Sequence, residues 1–302
     1  MWLDLQIFGF RALWSPYFLT YILALAFVYI LITGPYRHKF GNHGKPTVKQ
    51  QTYFYTGLLL LYIVKGSPVD LLSHIMLSAH MTQLAIYFLV FPIFIIKGIP
   101  VWIWKKVIEL PIIKPCLKVF TNPIIALVLF NLLFSVYHMP TIFNFSKSSQ
   151  LVHSSISMII LFSAFMMWWV VIAPIKEYDK VPPLVKMGYI FGNAALITPA
   201  CVLIIFATTP LFAAYTSDGA WIQAMSLCVP GDVLQGLVPD LSGAEMFSPM
   251  STMEDQQLGG IVMQTLITII YGTMLGRVFF NWYNKESHEI DPIPNTSYDI
   301  NS

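Results

Sequence analysis

Histidine is the residue type in this sequence best suited to bind a metal or a haem, and four of its seven histidines border or enter apolar segments. These four are His74, His80, His138 and His153. A histidine within an apolar span is costly in lipid, so it usually faces the interior of a helix bundle and has a function. The other three lie in polar segments, where we expect water to solvate them: His38, His43 and His288.

Methionines accompany these histidines, and no pair of closely spaced cysteines does. Met81 directly follows His80. On one continuous helix His74 and Met81 would share a face, because they are seven residues apart. Neutral imidazole with thioether, and without thiolate, is the donor set expected for Cu(I) rather than for Zn(II) or Mg(II). The sequence therefore predicts a Cu(I) site, with these candidate ligands: His74, His80, Met81, His138 and His153.

The composition is that of a membrane protein. Of the 302 residues, 56% are hydrophobic and 11% are charged, whereas a soluble domain has about 25% charged residues. The net charge of +2 and the lack of a basic run argue against a nucleic-acid partner. A spanning helix needs about 20 mostly apolar residues. Seven segments are apolar enough to qualify, although the second is short: 16–34, 52–66, 71–96, 121–139, 151–174, 187–215 and 257–282.

The basic residues predict how these helices are oriented. Of the 17 Lys and Arg residues, all but Arg11, Lys65 and Lys147 fall in one alternating set of connections. Such residues concentrate on the cytoplasmic side, so we expect the N-terminus outside and the C-terminus inside. The predicted fold is an all-α polytopic bundle of seven transmembrane helices over residues 1–284. An outer loop at 216–256 and a cytoplasmic polar tail at 285–302 complete the predicted organisation.

The segment that opens the last helix holds two further polar residues, Asp255 and Gln256, followed by the pair Gly259-Gly260. Small residues let helices approach closely in lipid. Acidic residues suit a helix N-terminus and can cap it. Alternatively, Asp255 or Gln256 supports a ligand histidine by fixing its tautomer. The sequence leaves both interpretations open.

Four segments resemble the CtaG family of membrane assembly factors for caa-type cytochrome c oxidase. Residues 80–83 read His-Met-Thr-Gln and resemble a family segment that ends in a glutamine, which is Gln83 in this chain. A second family segment resembles residues 138–140, which read His-Met-Pro. The family also has a histidine at the start of its fifth helix, where His153 lies here. The most specific segment is 255–263, which runs from Asp255 to Met263 and reads Asp-Gln-Gln-Leu-Gly-Gly-Ile-Val-Met.

The sequence also departs from the family pattern at three positions. Leu84 and Ser157 stand where many members have a further histidine, and Tyr137 stands in place of a tryptophan. These departures place more weight on His74 and on the methionines as ligands. Supporting roles are predicted for four residues: Gln83, Asp255, Gln256 and Met263.

The resemblance implies a function in oxidase assembly. The expected protein is not an enzyme but a copper-handling factor of the bacterial cell membrane that delivers or inserts Cu(I) from the outer side. Its expected partners are the oxidase subunit with the copper–haem centre, the lipid bilayer and a second copy of the chain. Two alternatives remain open: a haem b-binding redox protein with two axial histidines, and a metal-free structural partner of the oxidase.

Overall fold

The computed structural model describes residues 2–41, 43–216, 218–237 and 244–288, and this part of the chain is all helical, without a β-strand. Nine of its helices are labelled here in chain order. They are α1 Pro16–Thr33, α2 Val48–Gly66, α3 Pro68–Ile75, α4 Leu77–Gly98, α5 Ile113–Phe120, α6 Pro123–Tyr137, α7 Gln150–Ile172, α8 Pro183–Ile205 and α9 Thr252–His288. The shorter α-helices are Trp2–Leu5, Gly9–Trp14, Val101–Ile108, Pro140–Ser146, Ala213–Thr216, Asp218–Met225 and Gly231–Leu237. The 3-10 turns are Gln6–Phe8, Arg37–Phe40, Lys176–Tyr178 and Ala244–Phe247.

The described helices account for the predicted membrane spans. Five are long and apolar enough to cross a membrane, and the number rises to seven if each of two bent pairs is one span. The pairs are α2–α3, bent by 45°, and α5–α6, bent by 83°. Proline opens the second helix of each pair, where its missing N–H costs nothing and the preceding helix cannot continue. The predicted all-α, multi-helix membrane class is confirmed, while the orientation stays a prediction.

The predicted helix over 71–96 is wrong in its first part, because the chain breaks at Met76. Met76 has extended backbone angles, and a new helix, α4, begins at Leu77. The Asp255 carboxylate of α9 accepts hydrogen bonds from the backbone N–H groups of Leu77 and Ser78. This carboxylate satisfies donors that a helix start leaves unpaired. His74 therefore ends the second span, while His80 lies in the first turn of α4, so His74 and Met81 do not share a helix face.

Two other predicted boundaries also change. Helix α8 ends at Ile205 rather than at 215, and Pro210 follows in a segment without helix, as expected where proline restricts the preceding residue. The predicted outer loop at 216–256 contains helices, and α9 begins within it at Thr252. Of the predicted polar tail, residues 285–288 continue α9, and 289–302 lie outside the described residues.

Helix α4 forms the centre of the bundle. In its most apolar window 72% of the residues are buried, compared with 17% for the span that contains α1. Helix α4 packs against α2, α7 and α9, and α9 also packs along α8. Residues 85–90 of α4 form a π-helical segment, a local widening that is frequent at functional sites. Helix α1 lies at the periphery, chiefly against α2.

A second, smaller core covers one end of the bundle. Phe8 of the N-terminal segment packs with Phe247, and Trp221 approaches Phe247 from the helix Asp218–Met225. These side chains bury Leu71 and Ile75 of α3. The N-terminal segment and the described parts of the predicted outer loop, residues 218–237 and 244–247, thus form a folded cap over α3, the helix that holds His74.

Gly259 of the glycine pair in α9 permits the contact that places α4, whereas Gly260 lies against α8. A Cβ atom on Gly259 would lie 3.1 Å from the backbone nitrogen of Ser78 and 3.2 Å from the carbonyl of Leu77. We expect Gly259→Ala to lower the yield of folded protein, since overpacking against backbone costs about 1–3 kcal/mol. Gly276→Ala is the matched control on the same helix, because nothing lies within 4 Å of its added Cβ. Equal yields of the two variants, measured by size-exclusion chromatography, would contradict the close contact.

Candidate functional site

All four singled-out histidines lie at the capped end of the bundle, and each is less than one tenth exposed. The rings of His74 on α3 and His153 on α7 lie in edge contact, with centroids 5.9 Å apart. His80 on α4 lies within electrostatic range of His74, His138 and His153. The structure therefore brings together four residues from separate segments of the sequence.

Two of these histidines each expose one nitrogen lone pair to the interior. Nδ1 of His74 lies 2.8 Å from the backbone oxygen of Asp70, and Nδ1 of His138 lies 2.7 Å from that of Phe134. A carbonyl oxygen can only accept, so each Nδ1 carries the proton and each Nε2 is unprotonated. Both Nε2 atoms are buried and have no hydrogen-bond partner. Backbone-fixed imidazoles of this kind are ready metal ligands.

His80 has a different surrounding. Its Nε2 lies 3.3 Å from the hydroxyl of Tyr137, and Phe143 packs edge-on against its ring at 5.3 Å. Nδ1 of His80 is buried without a hydrogen-bond partner. Tyr137 thus supplies a polar contact to this histidine. His80 can present Nδ1 to a ligand while Nε2–H donates to Tyr137.

The sulfur donors are as buried as the histidines. Met81 on α4 and Met263 on α9 belong to the main core and are almost fully buried. Among the described residues, no three His, Cys, Asp or Glu side chains lie close enough together to hold a metal ion. The histidines therefore do not form a three-ligand site by themselves. A site here needs a low-coordinate ion or a thioether donor, and Cu(I) is the ion that accepts thioethers.

The predicted supporting residues hold helix ends. Besides the two backbone N–H groups of α4, Asp255 accepts a hydrogen bond from the Ser78 hydroxyl. Gln256 accepts from the backbone N–H of Leu211 and donates to the oxygen of Ile204 at the end of α8. Gln83 donates to the oxygen of Val64 and to Asp70. These residues fix the helix ends near the histidines, and their hydrogen bonds go to groups other than the imidazoles.

Two charged residues near the histidines were not singled out from the sequence. Asp70 accepts from Gln83 at 2.7 Å and forms an ion pair with Lys65 at 3.5 Å. Lys147, at the end of the helix Pro140–Ser146, is 3% exposed, and its Nζ has no hydrogen-bond partner. Burial lowers the pKa of Lys147 to about 7. The sequence could have drawn attention to Lys147, because it is one of three basic residues that lie outside the alternating set of connections that holds all the others.

The Lys147 ammonium lies within electrostatic range of His74, His80 and His153, so it opposes a cation bound between them. We expect Lys147→Leu to bind Cu(I) more tightly than the wild type, because leucine removes the charge without adding a sulfur donor. The gain should be larger at pH 6, where the wild-type lysine is charged, than at pH 8, where it is mostly neutral. Competition titrations with a Cu(I) chelator measure both ratios. A gain independent of pH would contradict a role for the lysine charge.

A comparison with protein families gives a match over most of the chain. The family model described as cytochrome c oxidase caa3 assembly factor (Caa3_CtaG) matches residues 27–285, which include all four histidines and every supporting residue described above. No curated protein and no solved structure matches the chain.

Proposed function

The chain belongs to the family of cytochrome c oxidase caa3 assembly factors, and on this premise we propose that it carries Cu(I) for the oxidase in the bacterial cell membrane. The ion is the cargo of the protein. It enters at the capped end of the bundle, which the basic-residue distribution predicts to be the outer end. It is then passed to the oxidase subunit that holds the copper–haem centre.

One observation supports the copper proposal above the others. The buried Nε2 atoms of His74 and His138 are unprotonated and unpaired. An unsatisfied buried polar atom costs about 1–3 kcal/mol, and coordination to Cu(I) would satisfy such a nitrogen. Buried Met81 and Met263 add soft donors at the same end of the helices. A site without thiolate holds copper weakly enough to release it, as a delivery factor must.

The proposal treats the protein as a carrier rather than an enzyme. Anaerobic loading of the purified protein with Cu(I), followed by metal analysis, tests it directly. We expect bound copper that a strong Cu(I) chelator removes, and no Soret band in the visible spectrum. A Soret band in protein purified from cells would instead support haem b binding by two of the histidines.

The cellular consequence is measured on the oxidase. Cells without this chain should assemble oxidase subunits that contain haem but lack copper at the copper–haem centre, and added copper should partly restore activity. Copper-replete oxidase in such cells would contradict the delivery role. It would favour the metal-free structural partner, since the assembly role itself follows from the family.

A further inference from the structure

A long cavity lies between helices α1, α2, α3, α4 and α7, and His74 and His153 form part of its wall. Its volume is about 560 Å3, within the range of small-molecule sites. On α7 its wall extends from Gln150 to Phe165, which corresponds to about 22 Å at 1.5 Å per residue. The cavity thus reaches further than the roughly 15 Å of one leaflet of the hydrocarbon core.

The wall of this cavity changes from polar to apolar along its length. At the capped end it is formed by Lys65, Asp70 and Gln150, among others. Towards the other end it is formed by Phe54, Phe91 and other aromatic and aliphatic side chains. Water makes no favourable contacts with the apolar part of this wall, and a plain hydrocarbon makes no hydrogen bonds with the polar part. The matching ligand is an amphiphile with a polar head and one long apolar chain.

The polar end opens towards a second cavity of about 540 Å3. The two cavities share Phe18, Tyr21 and Leu227, and Arg11 lines the second one. The Arg11 guanidinium lies 5.2 Å from the centre of the Tyr17 ring and is exposed at this opening. A head group at the polar end is therefore placed between Lys65 and Arg11.

The charges around this end determine the sign of the head group. Arg11, Lys65 and Lys147 are the three basic residues that fall outside the main basic set of the sequence. The structure places all three around one cavity end: Arg11 and Lys65 in the walls, and Lys147 within electrostatic range of Lys65. Among the described residues, Asp70 is the single acidic residue that lines either cavity. Because Asp70 pairs with Lys65, the unbalanced positive charge at this end is that of Arg11, to which Lys147 adds when it is protonated. This charge matches an anionic head.

We propose that this cavity binds an anionic acyl lipid, with its head between Arg11 and Lys65 and its chain extended along α7 towards Phe165. The shared chemistry is a phosphate or carboxylate head with a long acyl chain in the cavity, as a free fatty acid or one of the two chains of an anionic phospholipid provides. The lipid enters from the bilayer beside α1, the peripheral helix of the bundle. His74 and His153 also line this cavity, so the lipid head lies beside the proposed copper ligands, and copper-free protein tests the lipid site separately from the copper proposal.

Photo-crosslinking of copper-free protein in lipid nanodiscs tests this site. Three probes with a diazirine on the acyl chain are compared: phosphatidylglycerol, phosphatidylcholine and stearate. We expect labelling of cavity residues on α4 and α7 by an anionic probe, in excess over phosphatidylcholine by roughly fivefold for each basic residue engaged. Labelling by phosphatidylglycerol identifies a phospholipid as the source, and labelling by stearate alone identifies a fatty acid. Equal labelling by all three probes, spread over the outer surfaces of the helices, would overturn the proposal.

Matched variants separate the cavity from the surrounding lipid. Ser157 lines the cavity one helical turn beyond His153, whereas Ser155 is exposed elsewhere on α7. Ser157→Trp should fill the cavity and abolish the labelling, and Ser155→Trp should leave it unchanged. If Ser157→Trp fails to fold, competition in the wild type by the unlabelled form of the probe that labels replaces it, and labelling that resists this competitor counts against the site.

A second pair of variants tests the head group. Arg11→Gln should reduce the preference for anionic probes, whereas Lys39→Gln should not. Lys39 is a suitable control because it also lies over a tyrosine ring, that of Tyr36, but in the turn Arg37–Phe40 beyond the far end of α1. An unchanged preference in the Arg11 variant, with labelling still in the cavity, would overturn the assigned head position.

Discussion

Purified protein with His74→Ala is expected to bind Cu(I) at least about 100-fold more weakly than the wild type, because even residues behind the ligands cost 10–100-fold when they are replaced. The structure gives the reason: Nε2 of His74 is buried, unprotonated and unpaired. Anaerobic competition with a Cu(I) chelator measures the affinity. His38→Ala is the control, since His38 is exposed in the turn Arg37–Phe40 beyond α1.

The double variant of His74 and His153 shows whether both histidines hold one ion. Their rings are in contact, so the losses of the two single variants should not add when the variants are combined. The protein should remain folded, because His74→Ala gives up one hydrogen bond of about 1 kcal/mol. A folded His74 variant with wild-type affinity for copper would remove this residue from the proposed site.

Replacement of Asp255 should have the largest effect on folding. Its carboxylate is 5% exposed and accepts hydrogen bonds from the backbone of Leu77 and from the backbone and hydroxyl of Ser78. Asp255→Ala leaves two buried N–H groups unpaired, and we expect a loss on the order of 3 kcal/mol. The stability of Asp255→Asn should lie between those of the wild type and of Asp255→Ala, since the asparagine amide has one accepting oxygen instead of two.

Thermal unfolding in detergent, with the folded yield, measures this effect. Glu254→Gln is the control on the same turn of α9, because Glu254 is exposed and its contacts are to Ser251 only. Copper binding should decrease together with the folded fraction in the Asp255 variants. Normal stability with selective loss of copper binding would show that Asp255 acts on the metal site rather than on the start of α4.

Much of this architecture could be predicted from the sequence, because bilayer thickness imposes a length on every spanning segment. The apolar runs predicted the helical class and a count of seven, which the structure reaches when α2–α3 and α5–α6 are single spans. The positions of His138 at the end of α6 and His153 in the first turn of α7 also followed from where those runs end.

Only the tertiary structure decided where the second span ends and the third begins. Hydropathy does not distinguish α3 from α4, since the residues on both sides of Met76 are apolar, and the start at Leu77 depends on Asp255, which is 178 residues away in the sequence. The contact of His74 with His153 and the burial of Lys147 are likewise long-range. The local pattern of apolar residues shows which face of a helix must be buried. The partner that covers that face is determined by packing between helices, and here that packing decides which histidines can share an ion.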